Sequence, residues 1–505
     1  MSARPLLVLA CALTVACVQP REATEREIAL ELPEDWAAGS LAPEGERVDG
    51  PWWYAYGDST LHALIDEALA NNPDVQAAAA RLLLAEAASR VQGANLLPNV
   101  DAVLGRNRRK QSFIGFPTGG PGGGGGGDDP VVNRATIYNL GLEVSWEADL
   151  WGRLAAEEAA AVAQTQAAWA DQQFVALSLA ASVVKAWYVV AEAELQLALA
   201  QRTAESWERT YELTATRYRG GLAPALDARL TAVDLERARA QVVTTRANRD
   251  DAVRVLELLV GRYPATSLQV PDDLPAPRAE VPAGLPVTLL ARRADLYSAE
   301  RRMLSAERLA DARRADFYPD LVLTGSVGTQ STKMSDLLDG DFSVWSIVGQ
   351  LVQPVFQGGR LEARLDQQEA VADESLALFT RTLLDALFEV ESALAGERDF
   401  ADEVAVRTEV AEEATRAGAL ARRRYVEGLI GVTTLLDAER NEYLAQQNLL
   451  QARLLHLLNR MDLHLALGGG FNAPEPTDEP IPEGGVLDDV DDVGDAPEAG
   501  EEGTP

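Results

Sequence analysis

The sequence predicts a mostly helical protein with a small transmembrane β part, assembled from two copies of one structural unit. Three observations predict it: two long proline-free spans of helix formers, paired segments with period-two alternation, and self-similarity at a fixed offset. No proline lies between Pro130 and Pro224 or between Pro354 and Pro474, and both spans are rich in Ala, Leu, Glu, Arg and Gln. These residues lose least on entering a helix. A helix from Trp151 to Arg219 would be about 100 Å long at 1.5 Å per residue. Helices of that length outside a membrane pair as coiled coils.

The repeat is legible residue by residue. Asn72-Pro73-Asp74 precedes Pro98 as Ala294-Asp295 precedes Pro319, an offset of 221 between Asp74 and Asp295. Further on, Trp151-Gly152-Arg153-Leu154 matches Gly358-Gly359-Arg360-Leu361 at an offset of 207, and Arg217-Tyr218 with Gly221-Leu222 matches Arg424-Tyr425 with Gly428-Leu429 at the same offset. The first half thus carries 14 extra residues, which the Gly-rich stretch from Gly119 to Asp129 supplies. Each half reads helix, strand, loop, strand, helix, tip, helix. The halves are expected at 52–265 and 287–471, joined by a Pro-rich linker at 266–286.

The strands are expected near 98–110 and 135–148, and near 319–331 and 341–354. In the clearest of them Tyr138, Leu140, Leu142, Val144 and Trp146 share a face, while Asn139, Glu143, Ser145 and Glu147 share the other. That is the alternation and length of a bilayer-spanning strand, although a half-buried soluble strand gives the same signal. Beyond the N-terminus no run of eighteen apolar residues occurs, so a transmembrane helix is not expected and a crossing would have to use strands. Four strands cannot close a barrel, so strands in lipid would require oligomerisation.

Composition narrows the function. The formal net charge of −33 argues against nucleic acid, which needs a basic footprint. Residues 472–505 contain no Lys or Arg and many acids, the composition of a disordered tail. Both cysteines lie in the first seventeen residues. Arg4, the apolar run Leu6 to Ala10 and the small residues before Cys17 form a signal peptide over 1–16. The segment before Cys17 resembles a bacterial lipobox, although Thr14 stands where Leu is usual; Cys11 would leave too short an apolar region. A linker follows at 17–51. An ordinary cleaved signal with incidental cysteines is the alternative.

Three segments carry a resemblance covering roughly Trp52 to Leu467. They are Trp52-Trp53-Tyr54 with Asp58, Leu61 and Asn72; Trp146-Glu147-Ala148-Asp149-Leu150-Trp151-Gly152-Arg153; and the tip-and-return segments Arg217 to Asp227 and Arg424 to Ala438. They resemble the TolC-like outer-membrane factors, specifically the lipoprotein (NodT-type) branch serving RND-type efflux. The resemblance implies a homotrimer with a twelve-stranded β-barrel, four strands from each chain, continuing into a long periplasmic α-helical barrel. It implies a periplasmic adaptor and an inner-membrane RND-type transporter as partners, with outer-membrane lipid as surroundings. Val18 after Cys17 favours the outer membrane on the same grounds. The expected function is passive conduction of drugs or metal ions to the exterior. The alternatives are a conduit for type I protein secretion and a non-channel periplasmic coiled-coil scaffold.

By resemblance Asp437 lies just inside the periplasmic mouth, where three copies would form a carboxylate ring favouring cations. A solvated Asp near a helix N-terminus is the plainer reading. Thr434 occupies the position where some relatives carry a second acid, and Asp227 is the counterpart of Asp437 in the first half. Gly221 and Gly428 suit a sharp reversal between helices, leaving Leu222 and Leu429 exposed as an adaptor-docking surface. The glycines Gly122 to Gly127 are followed by Asp128-Asp129-Pro130 rather than Lys-Ser/Thr, which excludes a phosphate loop. His62, His456 and His464 lack ligand spacing, and Arg422-Arg423-Arg424 reads as a charged helix face. No catalytic constellation, cofactor or metal site is expected.

Overall fold

The fold is that of a computed structural model, which describes residues 33, 35–39, 52–56, 58–113, 131–268, 273–275, 286, 289–471 and 473–474. The signal peptide with Cys17, the glycine run at 122–127, most of the 266–286 linker and nearly all of the acidic tail lie outside the described residues.

The first half comprises a 3-10 turn Trp52–Tyr56, helices α1 (Ser59–Asn71) and α2 (Pro73–Ala94), strands β1 (Asn99–Phe113) and β2 (Val131–Ala148), and helices α3 (Arg153–Arg219) and α4 (Ala225–Leu259). The second comprises a single turn α5 (Leu289–Arg292), α6 (Ala294–Ala315), strands β3 (Asp320–Ser331) and β4 (Ser343–Val352), α7 (Arg360–Val426) and α8 (Val432–Ala466). The duplication is carried into the element lengths. α3 and α7 have 67 residues each, α4 and α8 have 35, and α2 and α6 have 22.

Local chemistry sets the boundaries. The Asp58 carboxylate accepts from the amides of Thr60 and Leu61 at 3.0 and 3.2 Å, capping α1. Asn72 caps α2, with Pro73 in the first turn, where its missing N–H costs nothing. α3 and α7 both start after a glycine at positive φ, Gly152 at 77° and Gly359 at 79°, which turns the chain sharply out of β2 and β4.

Within each half a long helix runs beside a shorter pair. α4 ends where α2 begins: the Asn72 side-chain amide donates to the Leu259 carbonyl at 2.9 Å. In the second half the Arg293 guanidinium donates to the Ala466 carbonyl at 3.1 Å, so α8 ends where α6 begins. Buried side chains concentrate at these two junctions. Trp52, Trp53, Leu61, Ile65, Trp187 and Met461 pack at one, and Trp36, Leu296, Leu383, Val390, Leu394 and Leu463 at the other. A third cluster at the far end joins Trp207, Leu235, Tyr425, Val432, Leu435 and Leu436.

The strands form one antiparallel sheet in the order β1-β2-β3-β4. β1 and β2 extend further towards the intervening loop than expected, to Phe113 and from Val131. The added residues, Gln111 to Phe113 and Val131 to Arg134, adjoin the Gly-rich stretch and are too few for a period-two pattern to show. One expectation is corrected in part. α3 contains an 18-residue window of mean hydropathy 1.8, long and apolar enough to cross a membrane by composition; 56% of that window is buried inside the protein, as in a core helix.

Candidate efflux channel site

Opposed residues of antiparallel strands share a face. On one face of the sheet Leu104 pairs Leu140, Ala102 pairs Leu142, and Leu142 in turn pairs Val327, which pairs Trp345. On the other, Asp101 pairs Glu143, which pairs Ser326, which pairs Ser346. Over β1 to β3 the sheet therefore has one apolar and one polar side, while β4 is apolar on both, with Trp345 and Ile347 on one and Val344 and Val348 on the other; β1 and β4 are bare edges. At the strand-to-helix junction Trp151 stacks on Tyr318 with centroids 4.8 Å apart, and its ring N–H donates to the Pro319 carbonyl at 2.9 Å. Trp146 donates to Leu96 at 2.9 Å. These rings collar the base of the sheet.

At the opposite end both helix pairs reverse through the same motif. The Leu222 amide donates to Arg217 O at 2.8 Å and Gly221 to Tyr218 O at 2.9 Å; Leu429 donates to Arg424 O at 2.9 Å and Gly428 to Tyr425 O at 3.0 Å. With Gly221 at φ 72° and Gly428 at 76°, this is the six-to-one, five-to-two closure that satisfies the last helical carbonyls. Such closures normally bury the residue after the glycine against an apolar neighbour in the last turn. Here that neighbour is Arg217 or Arg424, so Leu222 remains 80% exposed and Leu429 69%. The two tips are locked together: Arg217 donates to Tyr425 O at 2.8 Å and lies 5.0 Å over the Tyr425 ring.

About two turns above the tip, Leu435 and Leu436 face inward and Thr434 and Asp437 face out. The Asp437 carboxylate is 68% exposed and accepts from Arg440 Nη1 at 3.0 Å. Arg440 also makes a second link that sequence reasoning missed. Arg440 Nη2 reaches Asp234 on α4 at 3.1 Å, a carboxylate only 6% exposed. Residues 206 apart leave no local signal for such a link. A cavity of about 190 Å3 opens beside it, lined by Trp207, Asp234, Arg440 and Tyr443 among others. Asp227 is half-buried in the first turn of α4. On the other side of α8 the Arg422 guanidinium meets Glu442 at 2.9 Å and Glu439 at 3.4 Å. Burial pushes the Glu439 carboxyl above its ordinary value, against the pull of Arg422. Arg422 of the charged face thus links α7 to α8.

The chain matches the outer membrane efflux protein family over residues 64–262 and 285–469. It belongs to that family. A toluene efflux pump outer membrane protein, TtgF of Pseudomonas putida, is 31% identical over 437 residues, spanning 86% of this chain and 88% of the relative. The outer-membrane channel OprN superposes with a TM-score of 0.80 at 28% identity, covering 89% of this chain and 99% of that one. The MtrE outer membrane channel of Neisseria gonorrhoeae, in an open state, gives 0.75 at 28%, covering 91% and 100%. This efflux protein is accordingly an outer-membrane channel component extending into the periplasm. The sheet is its membrane end and the tips its periplasmic end. No group of three or more His, Cys, Asp or Glu side chains able to hold a metal occurs among the described residues.

Proposed function

We propose that three copies of this chain close one twelve-stranded barrel, continued by a helical tunnel, through which small molecules or metal ions pass passively to the exterior. The bare edges of β1 and β4 carry this reading. An unpaired N–H or C=O in hydrocarbon costs several kcal/mol, and pairing β4 of one copy with β1 of the next removes every edge. The polar side then faces a wet lumen and the apolar side faces lipid. A periplasmic adaptor docks at Gly221-Leu222 and Gly428-Leu429, and an inner-membrane RND-type transporter supplies the cargo. The toluene efflux relative favours small organic molecules over secreted protein as that cargo. Cys17 carries the lipid anchor, and three Asp437 carboxylates, with Thr434 one turn below and Asp227 alongside, line the periplasmic mouth.

The deciding experiment is single-channel recording of the purified protein in planar bilayers with asymmetric salt. The wild type conducts with a preference for cations, and Asp437→Ala reduces that preference and the block by divalent ions. An absence of conductance would return the chain to the class of periplasmic scaffolds. An unchanged reversal potential and conductance in the variant would leave Asp437 an ordinary solvated helix residue.

A further inference from the structure

The apolar side of the sheet ends abruptly on the strand leading outward. On β1 it runs Val100, Ala102, Leu104 and then, two residues further, Arg106, Arg108 and Lys110. The partners across β2 change with it. Leu104 faces Leu140, but Arg106 faces Tyr138, Arg108 faces Thr136 and Lys110 faces Arg134. Four cations therefore share the lipid-facing side just beyond the apolar rows, towards the exterior. The opposite row of the same stretch, Asn107, Arg109 and Gln111, holds one.

The four are exposed, and among the described residues no carboxylate pairs with them. Arg106 instead lies 5.7 Å over the Tyr138 ring, which leaves its N–H edge available. In a chain of net charge −33, no Asp or Glu occurs from Ala102 to Phe113. Three cations at alternate positions span about 14 Å, room for more than one phosphate. Guanidinium groups bind phosphate through paired N–H bonds.

We propose that this patch binds the phosphorylated headgroup of a glycolipid in the outer leaflet, its acyl chains lying against Leu104, Leu140 and Leu142. A soluble phosphate would use the cations alone; only a lipid uses the cations and the adjoining apolar rows together. The inference rests on the reading of the sheet as a lipid-embedded barrel wall.

The test reconstitutes the full chain into phosphatidylcholine vesicles containing bisphosphorylated lipid A or its dephosphorylated form, and counts lipid A retained after detergent extraction by native mass spectrometry. The wild type retains the bisphosphorylated form, and excess inorganic phosphate does not displace it. The triple variant Arg106→Gln, Arg108→Gln, Lys110→Gln loses on the order of 100-fold in apparent affinity, about fivefold for each cation near the surface. Arg109→Gln, on the lumen side, retains it. Equal retention of the dephosphorylated lipid, displacement by free phosphate, or full retention by the triple variant in a chain that resists carbonate extraction overturns the inference alone. A loss confined to Arg109→Gln, or a chain that carbonate strips from the vesicles, overturns the barrel-wall reading as well.

Discussion

Replacing Arg440 by Gln tests whether the link between α4 and α8 holds the periplasmic end closed. The substitution removes two ion pairs of unequal weight. That to Asp437, at 68% exposure, is screened and contributes little. That to Asp234, at 6% exposure, is a hydrogen bond between charged groups, and such bonds contribute about 1.5–3 kcal/mol. Arg440 is itself 47% exposed, and the adjoining cavity lets water reach the orphaned carboxylate, which retains Arg237 at 3.3 Å. The net loss is therefore about 1–2 kcal/mol, from the lower end of that range to somewhat below it. If opening parts α4 from α8, the open-to-closed ratio rises about 5- to 30-fold, since 1.4 kcal/mol is tenfold. Open probability in planar bilayers reads this directly. Asp234→Asn should produce a comparable rise, and the double variant should fall short of the sum by about 1 kcal/mol, as expected of directly coupled groups. Unchanged open probability in both single variants, or strict additivity, would refute the assignment of this link to closure.

Leu222→Asp or Leu429→Asp should weaken crosslinking to the adaptor at least tenfold while leaving the heat-resistant oligomer intact; loss of the oligomer would mean these side chains are core. The mature protein should begin at a lipid-modified Cys17, and mass spectrometry finding an unmodified start past that residue would sink the anchor. His464, stacked on Trp52 at 4.8 Å, has its pKa lowered from 6.5 to about 4 by burial and then by Arg460. The unfolded chain therefore binds the extra proton between pH 6.5 and about 4, and the His464 contribution of up to about 3 kcal/mol is lost as pH falls through that window. With only three histidines in the chain, ring-labelled NMR resolves it, and titration of His464 near pH 6.5 would contradict the packing.

The long-range architecture was legible because duplication writes itself into the numbering. The offset of 207 between Trp151 and Gly358 reappears in the starts of α3 and α7 and of α4 and α8. The tip leucines were legible because a positive-φ glycine before Leu222 or Leu429 fixes where the helix must stop. The outer ends of β1 and β2 were not. Gln111 to Phe113 and Val131 to Arg134 are too short for an alternation to show and adjoin the Gly-rich stretch, which reads as loop. Nor was the Asp234–Arg440 link, because the residues that carry it meet only when the two halves pack. Trp36 is a further case. Its burial against Leu383 and Leu394, with Glu391 accepting from the Ala37 and Ala38 amides at 2.7 and 2.8 Å, reaches from the N-terminal linker across most of the chain.

The end-to-end meeting of α4 with α2 and of α8 with α6 makes each column half rail and half jointed rod. A force on the tips that tilts α4 against α3 is not transmitted through covalent helix into α2 and the strands above. The joints are tied differently. One is tied by the neutral amide of Asn72 and by the exposed ion pair of Arg262, just past α4, with Glu67 on α1. The other is tied by the buried Arg293, which also grips Asp295 and Glu389, each at 2.7 Å. Because an exposed pair is screened by solvent, bending should begin on the side of the first half, while the buried clamp acts as the fulcrum. A gate at the bottom of such a column can move without disturbing the seal that the barrel makes with the membrane.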